Sequence, residues 1–275
     1  MNARAVAAWS ACCLFIDLST TNPAYKVLVL AAALSALVAG VGLRRIRGVL
    51  VAVGFIAVFA TLLNFVSAHL GATVLFALPA QVPALGGPYT LEALVFGAVG
   101  GVTIGAAILS AAPFSLLLDS HEVMDALPSV LSRTGVVIAA SLNLVPAVAS
   151  SFVQVTEAQR LRGWRPRGPR AWMEVLVPVV LTSVEGSIQL AESMEARGFG
   201  SGARTAMASR ALRRLDWLLT AAAGAAFAMF AVAHATGSAA DWFPYPMLTF
   251  PSIQPLPMAA CLLLFAPVLV WRSRR

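Results

Sequence analysis

The chain carries one short pattern twice: a glutamate followed, five positions later, by an arginine, a glycine and an aromatic residue. The first copy runs from Glu157 to Trp164 and the second from Glu192 to Phe199. Glutamate and arginine are good helix formers, and glycine is common just past a helix C-terminus because it adopts the left-handed conformation without strain. An arginine in the last turn also faces the negative end of the helix dipole. Each copy therefore predicts a helix that ends in a projecting guanidinium.

A guanidinium at a helix end is suited to binding an acidic groove. Its planar fork makes bidentate, charge-assisted bonds to carboxylate or carbonyl groups. Two such ends, Arg162 and Arg197, would suit a partner with two-fold or pseudo-two-fold symmetry. The alternative is that both arginines only neutralise lipid phosphates, as the positive-inside rule requires of any membrane protein. The repetition of the whole pattern favours the first interpretation.

The composition indicates the elements that must position these ends. Of 275 residues, 59% are hydrophobic and 11% charged, and the mean hydropathy is +0.84. Several apolar runs approach the length of a membrane span, and they are continuous rather than alternating, which argues against a β-barrel. We expect an all-α, polytopic membrane protein with about six membrane helices. Cys12, Cys13 and Cys261 lie inside apolar runs and are interpreted as buried thiols, with no disulfide and no metal site.

Six apolar segments are predicted to be membrane helices: Met1–Leu18, Val27–Leu43, Val49–Ala68, Leu91–Ala112, Leu215–Ala235 and Met258–Trp271. The first resembles a signal peptide, but no convincing cleavage site follows it, so we interpret it as a retained helix. Leu118–Leu131 has its apolar residues on one face and predicts an interfacial helix. The expected organisation is thus membrane helices in residues 1–117, a cytoplasm-facing block with both arginine motifs in 118–214, and further membrane helices in 215–275.

The distribution of positive charge orients this map. With a cytoplasmic N-terminus, every Lys and Arg except Lys26 falls on the cytoplasmic side. The loops His69–Tyr89 and Thr236–Pro257 hold none and belong outside. We therefore expect a multi-pass protein of the cell membrane with both termini in the cytoplasm. The net charge of +7 then needs no nucleic acid to explain it.

Within the spans, Asp17 and Glu92 lie near helix ends and are interpreted as interfacial. The fourth span has small residues at packing intervals, which indicate close helix contacts: Gly97, Gly100, Gly101 and Gly105.

Known catalytic and nucleotide-binding motifs are absent from the sequence. There is no Walker loop, no HExxH and no Gly-x-Ser-x-Gly. We expect no catalytic residue, no cofactor and no metal. A membrane enzyme acting on a phosphate-bearing lipid remains an alternative, for which the block offers only Asp119, His121, Glu122 and Asp125. A self-contained secondary transporter would need intramembrane charges and inverted repeats of spans, whereas the visible repeat is in the cytoplasmic block.

The two motifs resemble a known family. Ala158-Gln159-Arg160-Leu161-Arg162-Gly163 and Met194-Glu195-Ala196-Arg197-Gly198-Phe199-Gly200 look like the two Ala-Arg-Gly signatures of the transmembrane T component (EcfT, cobalt-transport-permease-like) of energy-coupling-factor ABC transporters. The resemblance covers about residues 115–205, including Asp125–Pro128 and Asn143–Pro146. Leu161 departs from the family's usual alanine, and so does Ser193.

The resemblance implies a non-catalytic scaffold between two cytosolic ABC ATPases and a membrane S component that binds a vitamin or metal ion. Arg162 and Arg197 would dock in grooves on the ATPases, and ATP-driven motion would pass through the two helices to the S component. The glycine-rich fourth span would suit a sliding contact with that component. The implied ATPase-docking residues are Ala158, Gln159, Arg160, Arg162, Gly163, Glu195, Ala196, Arg197 and Gly198.

Overall fold

The computed structural model describes residues 3–79, 86–117, 132–166, 168–198, 214–239 and 241–268. Its regular elements are α1 (Ala3–Ser19), α2 (Pro23–Gly40), α3 (Leu43–Ser67), β1 (Val74–Leu78), β2 (Gly87–Thr90), α4 (Leu91–Leu117), α5 (Ser132–Leu161), α6 (Met173–Ala196), α7 (Arg214–Ala235) and α8 (Pro255–Leu263). A 3-10 turn at Pro169–Trp172 precedes α6. The predicted all-α class is confirmed. The interfacial helix predicted at Leu118–Leu131 lies outside the described residues.

Five helices are long and apolar enough to cross a membrane: Pro23–Gly40, Leu43–Ser67, Leu91–Leu117, Arg170–Ala196 and Arg214–Ala235. The protein is therefore a multi-pass membrane protein. Four of these helices coincide with spans predicted from the sequence. The fifth, Arg170–Ala196, belongs to the block that the sequence assigned to the cytoplasmic side. The 17-residue α1 and the apolar helix Pro255–Val268 are shorter.

Two helix starts differ from the sequence map for local reasons. Helix α2 begins at Pro23 because the Asn22 side chain accepts a hydrogen bond from the Ala24 N–H (3.0 Å) and proline is pre-organised for the first turn. Helix α3 begins at Leu43, so the arginines that follow it stand in the first turns of a helix rather than in a connecting loop.

The first outer loop was predicted without regular structure, and this was wrong. Strands β1 and β2 form an antiparallel hairpin in which Phe76 pairs with Tyr89 and Leu78 with Gly87. The Phe76 and Tyr89 rings stack with centroids 4.7 Å apart, a contact across the two strands. The proline and glycine content of the segment concealed these short strands. The second outer loop has neither helix nor strand among its described residues before Pro255.

The chain divides into two compact units. The first comprises Met1–Val123 and Arg210–Arg275 and contains a buried apolar core that includes Tyr25, Leu37 and Phe230. The three cysteines are buried, as expected, and their thiols are free. The second unit comprises Met124–Ser209 and contains α5 and α6, which pack against each other.

A seam of glycines joins α4 to α3 in the first unit. A Cβ added at Gly97 would lie 2.9 Å from the Thr61 carbonyl oxygen, and one at Gly101 would lie 2.8 Å from that of Ala57. At Gly105 an added Cβ would lie 3.1 Å from Val53, whereas at Gly100 nothing lies within 4 Å. Three of the four glycines thus let two helices of this chain approach closely, as the packing interpretation predicted.

Asp17 and Glu92, which the sequence analysis interpreted as interfacial, are both fully buried within the protein. The Lys26 ammonium lies beside Asp17 and donates to its backbone carbonyl (3.0 Å) and to the Thr103 hydroxyl (2.8 Å). Glu92 accepts bonds from the N–H (3.0 Å) and hydroxyl (2.7 Å) of Thr73. Both carboxylates lie near helix ends, but neighbouring elements cover them.

Candidate functional site

The first arginine motif forms a complete glycine-capped helix end. Gly163 has φ +86°, and its N–H donates to the Arg160 carbonyl (3.0 Å). The Trp164 N–H reaches back to the Gln159 carbonyl (3.0 Å). These are the two bonds of a Schellman motif, with glycine in the left-handed position. Arg162 is the last residue before the glycine, so the backbone turns away immediately beyond it and its side chain stands at the end of the helix.

The second motif matches the first in the bonds that its described residues make. Gly198 has φ +72°, and its N–H donates to the Glu195 carbonyl (2.8 Å). The Arg197 N–H donates to the carbonyls of Ser193 and Met194, both at 3.2 Å. Arg197 therefore occupies the position at the end of α6 that Arg162 occupies at the end of α5. The prediction of two helices ending in arginine and a left-handed glycine is confirmed.

Both ends are accessible. Among the residues implied for docking, Gln159 is half-buried and the others are exposed: Ala158, Arg160, Arg162, Gly163, Glu195, Ala196, Arg197 and Gly198. Within the described part of the chain, neither Arg162 nor Arg197 has a side-chain hydrogen bond or an ion pair. The bulky Leu161, which departs from the family pattern, is 90% exposed and fills no internal space.

An aromatic cluster closes the turn between the two helices. Trp172 stacks on Phe152 (centroids 6.0 Å) and meets Trp164 edge-on (5.4 Å). The sequence pattern identified Trp164 only as the aromatic residue that ends the first arginine motif. The contact with Trp172 was not predicted, since it depends on how the turn folds back.

This cluster fixes where the two ends lie relative to each other. Trp164, two residues after Arg162, touches Trp172 at the start of α6. Arg197 stands at the far end of α6, which has 24 residues and is thus about 36 Å long. The structure therefore does not bring the two arginines together but holds them roughly one helix length apart.

Helix α6 also carries a row of carboxylates. Glu174, Glu185 and Glu192 are exposed and spaced by 11 and 7 residues, which at about 100° per residue places them within about 20° of one direction. Val175 and Val179, the buried residues of the helix, lie on a different face. Exposed apolar side chains such as Val184 and Ile188 occupy a third.

No group of three or more His, Cys, Asp or Glu side chains in the described residues could hold a metal ion. A pocket in the first unit is entirely apolar and is lined by residues of α2 and α4 such as Pro23, Val27 and Val99. The polar residues that a lipid-processing enzyme would need, Asp119 to Asp125, lie outside the described part of the chain. The two exposed arginine ends are thus the strongest candidate site.

The model of the CbiQ family, described as cobalt transport protein, matches residues 1–208. The chain belongs to this family. The matched range includes α1 to α6 and both arginine ends, and it identifies the protein as a membrane component of a transport system. No curated protein matches the chain.

Proposed function

We propose that this CbiQ-family protein is the T component of an energy-coupling-factor ABC importer in the cell membrane. It would transmit the motion of two cytosolic ABC ATPases to a membrane S component that binds a vitamin or a metal ion. The single observation that carries this proposal is a pair of exposed arginines in matched positions at two glycine-capped helix ends, neither of which has a side-chain partner among the described residues. The role is non-catalytic and requires no cofactor.

The helix ends suit a docking role because their backbone is already fixed. The glycine caps satisfy carbonyls that a frayed helix would leave free, so little order remains to be gained when the end enters a groove. A guanidinium with no partner in its own described chain can offer its full fork of donors to a carboxylate. Lipid phosphates would require neither the matched cap nor the repetition.

The row of glutamates supports a position of α6 along the cytoplasmic interface rather than across the bilayer. In a spanning helix, Glu185 would lie near the middle of the hydrocarbon, where a carboxylate is unfavourable by about 2.5–3.5 kcal/mol. Along the interface, the glutamates can face water while Val184 and Ile188 contact lipid or an apolar partner. Both arginine ends are then on the cytoplasmic side, which agrees with the positive-inside map.

The test is Arg162→Glu combined with Arg197→Glu. We expect loss of ATPase association and of uptake, because each acidic groove on the ATPases would then face a carboxylate that it repels. Membrane insertion should be unchanged. Copurification of the ATPases and transport in cells are measured together with membrane yield. The matched control is Arg44→Glu with Arg45→Glu, the same charge change at exposed positions of α3. Normal uptake in the first double variant would refute the docking role.

A further inference from the structure

The hairpin of β1 and β2 exposes apolar side chains that the core of the first unit does not cover. The segment His69–Thr90 contains no Asp, Glu, Lys or Arg. All five residues of β1 are apolar and exposed, among them Val74 (52%), Leu75 (52%) and Phe76 (50%). A hairpin that faces water normally alternates apolar with polar residues, and exposed apolar surface of this kind marks a contact with a membrane or a protein. Strand β1 is thus poorly suited to contact with water alone.

The depth of the hairpin follows from helix α3, to which aromatic contacts join it. Phe65, near the end of α3, meets Tyr89 (centroids 5.2 Å apart) and Phe76 (6.1 Å). Arginine is unfavourable inside the hydrocarbon, so Arg47 at the start of α3 marks one boundary of the membrane. Phe65 follows Arg47 by 18 residues, or about 27 Å of helix, and the hydrocarbon is about 30 Å thick. Phe65 and the two hairpin rings therefore lie close to the opposite boundary.

The backbone of β1 limits the depth from the other direction. Strand β2 pairs with one edge of β1, and no strand among the described residues pairs with the other edge. Open sheet edges do not occur inside the hydrocarbon, because their N–H and C=O groups would find no partner there. Hydrated lipid headgroups provide such partners. The boundary between headgroups and acyl chains thus satisfies both the apolar side chains and the open edge.

The packing of the hairpin holds it beside the membrane-facing surface of α3. Tyr89 is buried between the rings of Phe76 (centroids 4.7 Å apart) and His69 (5.3 Å), and rings with a polar tip are enriched at membrane interfaces. Ile46 is the only buried residue of α3, so the exposed apolar surface of that span continues into the hairpin. The hairpin is therefore a fixed extension of a surface that already faces lipid.

We propose that the β1–β2 hairpin is a lipid-binding anchor at the membrane boundary opposite to Arg47. Its partner is the bilayer: Leu75 and its apolar neighbours contact the acyl chains, and the open edge of β1 contacts the hydrated headgroups. The anchor fixes the depth of α3 and, through the glycine seam, that of α4. The proposal is independent of the proposed function, because it involves neither the arginine ends nor the ATPases.

Photocross-linking in native membranes identifies what covers the hairpin. The photoreactive residue p-benzoylphenylalanine replaces Leu75 in the full chain. The lipid control is Val58 in the middle of α3 (59% exposed), and the water control is the exposed Asp241. Mass spectrometry after irradiation should show phospholipid adducts at positions 75 and 58 and none at 241. A cross-link from position 75 to a protein that adds a strand or covers the hairpin would overturn the proposal, and so would the absence of an adduct at 75 when 58 gives one.

Spin labelling measures the depth directly. A nitroxide is attached to Leu75→Cys, Val58→Cys and Asp241→Cys in vesicles of phosphatidylethanolamine and phosphatidylglycerol. Labelled wild type gives the background, because its own three cysteines are buried. Collisions with oxygen and with a water-soluble nickel chelate should place the label at position 75 about 15 Å from the bilayer midplane, and that at 58 about 10 Å deeper.

Two results of the depth measurement would contradict the anchor. One is a label at position 75 that meets the nickel chelate as freely as the label at 241. The other is a label at 75 that lies as deep as the label at 58. Val74→Cys, in the same strand and equally exposed, provides a second position if Leu75→Cys does not fold.

Discussion

The two compact units of this protein differ in how much of their side-chain surface they bury. The first unit, α1–α4 with α7 and α8, buries an apolar core, a lysine beside an aspartate, and a glycine seam. In the second unit, the described buried side chains are few: Thr156, Val175 and Val179. The first unit thus buries an apolar core of its own, whereas the second presents charged helix ends and apolar side chains outward. Most of the described side chains of the second unit therefore remain available to a partner, as the proposed docking role requires.

The largest effect is expected from Lys26→Met in the first unit. The change removes the ammonium that links Asp17 and Thr103 and leaves the buried Asp17 carboxylate without its nearby cation. Losing a buried donor in this way destabilises by about 1–3 kcal/mol for each acceptor that is left unsatisfied. The folded yield and the Tm in detergent should both fall. The control in the second unit is Glu185→Gln, which removes an exposed carboxylate and should leave the Tm unchanged. An equal fall of the Tm in both variants would contradict the difference between the two units.

A smaller effect is expected from overfilling the glycine seam. Gly101→Val places a side chain against the Ala57 backbone and should destabilise by about 1–3 kcal/mol. Gly100→Val, one residue away in the same helix, meets nothing within 4 Å and should be tolerated. Thermal unfolding of both variants in the same detergent provides the comparison. Similar Tm values would show that α3 and α4 are not closely packed in the membrane.

The smallest effect on global stability is expected from Trp172→Ala, because the contacts that it removes lie within the second unit. It removes two aromatic contacts, worth about 0.5–1.5 kcal/mol each, in a turn that is otherwise exposed. Global unfolding of the first unit should be unaffected, while ATPase binding weakens because Arg165 and Arg170 lose their fixed position near Arg162. Trp172→Phe should retain most of the binding. A fall in the Tm of the whole protein with unchanged binding would contradict the assignment of the cluster to docking.

The sequence determined the class and the candidate site. Membrane helices follow from length and hydropathy alone, because every backbone polar group in lipid must be satisfied within its own helix. The two helix ends with their arginines were also predictable from the sequence. A glycine that follows a helical segment favours the left-handed conformation that caps the helix, and this preference is local. Gly163 and Gly198 both adopt that conformation, and the terminal arginine precedes each.

Other features depended on contacts between distant segments, and only the tertiary structure decided them. The burial of Asp17 and Glu92, the hairpin that pairs Phe76 with Tyr89, and the Trp164–Trp172 contact each join residues whose proximity no local pattern encodes. The last of these places the two arginine ends a helix length apart. Local conformation depends on neighbouring residues and can be predicted from them. The distance between two sites depends on how the chain folds back, which only the tertiary structure shows.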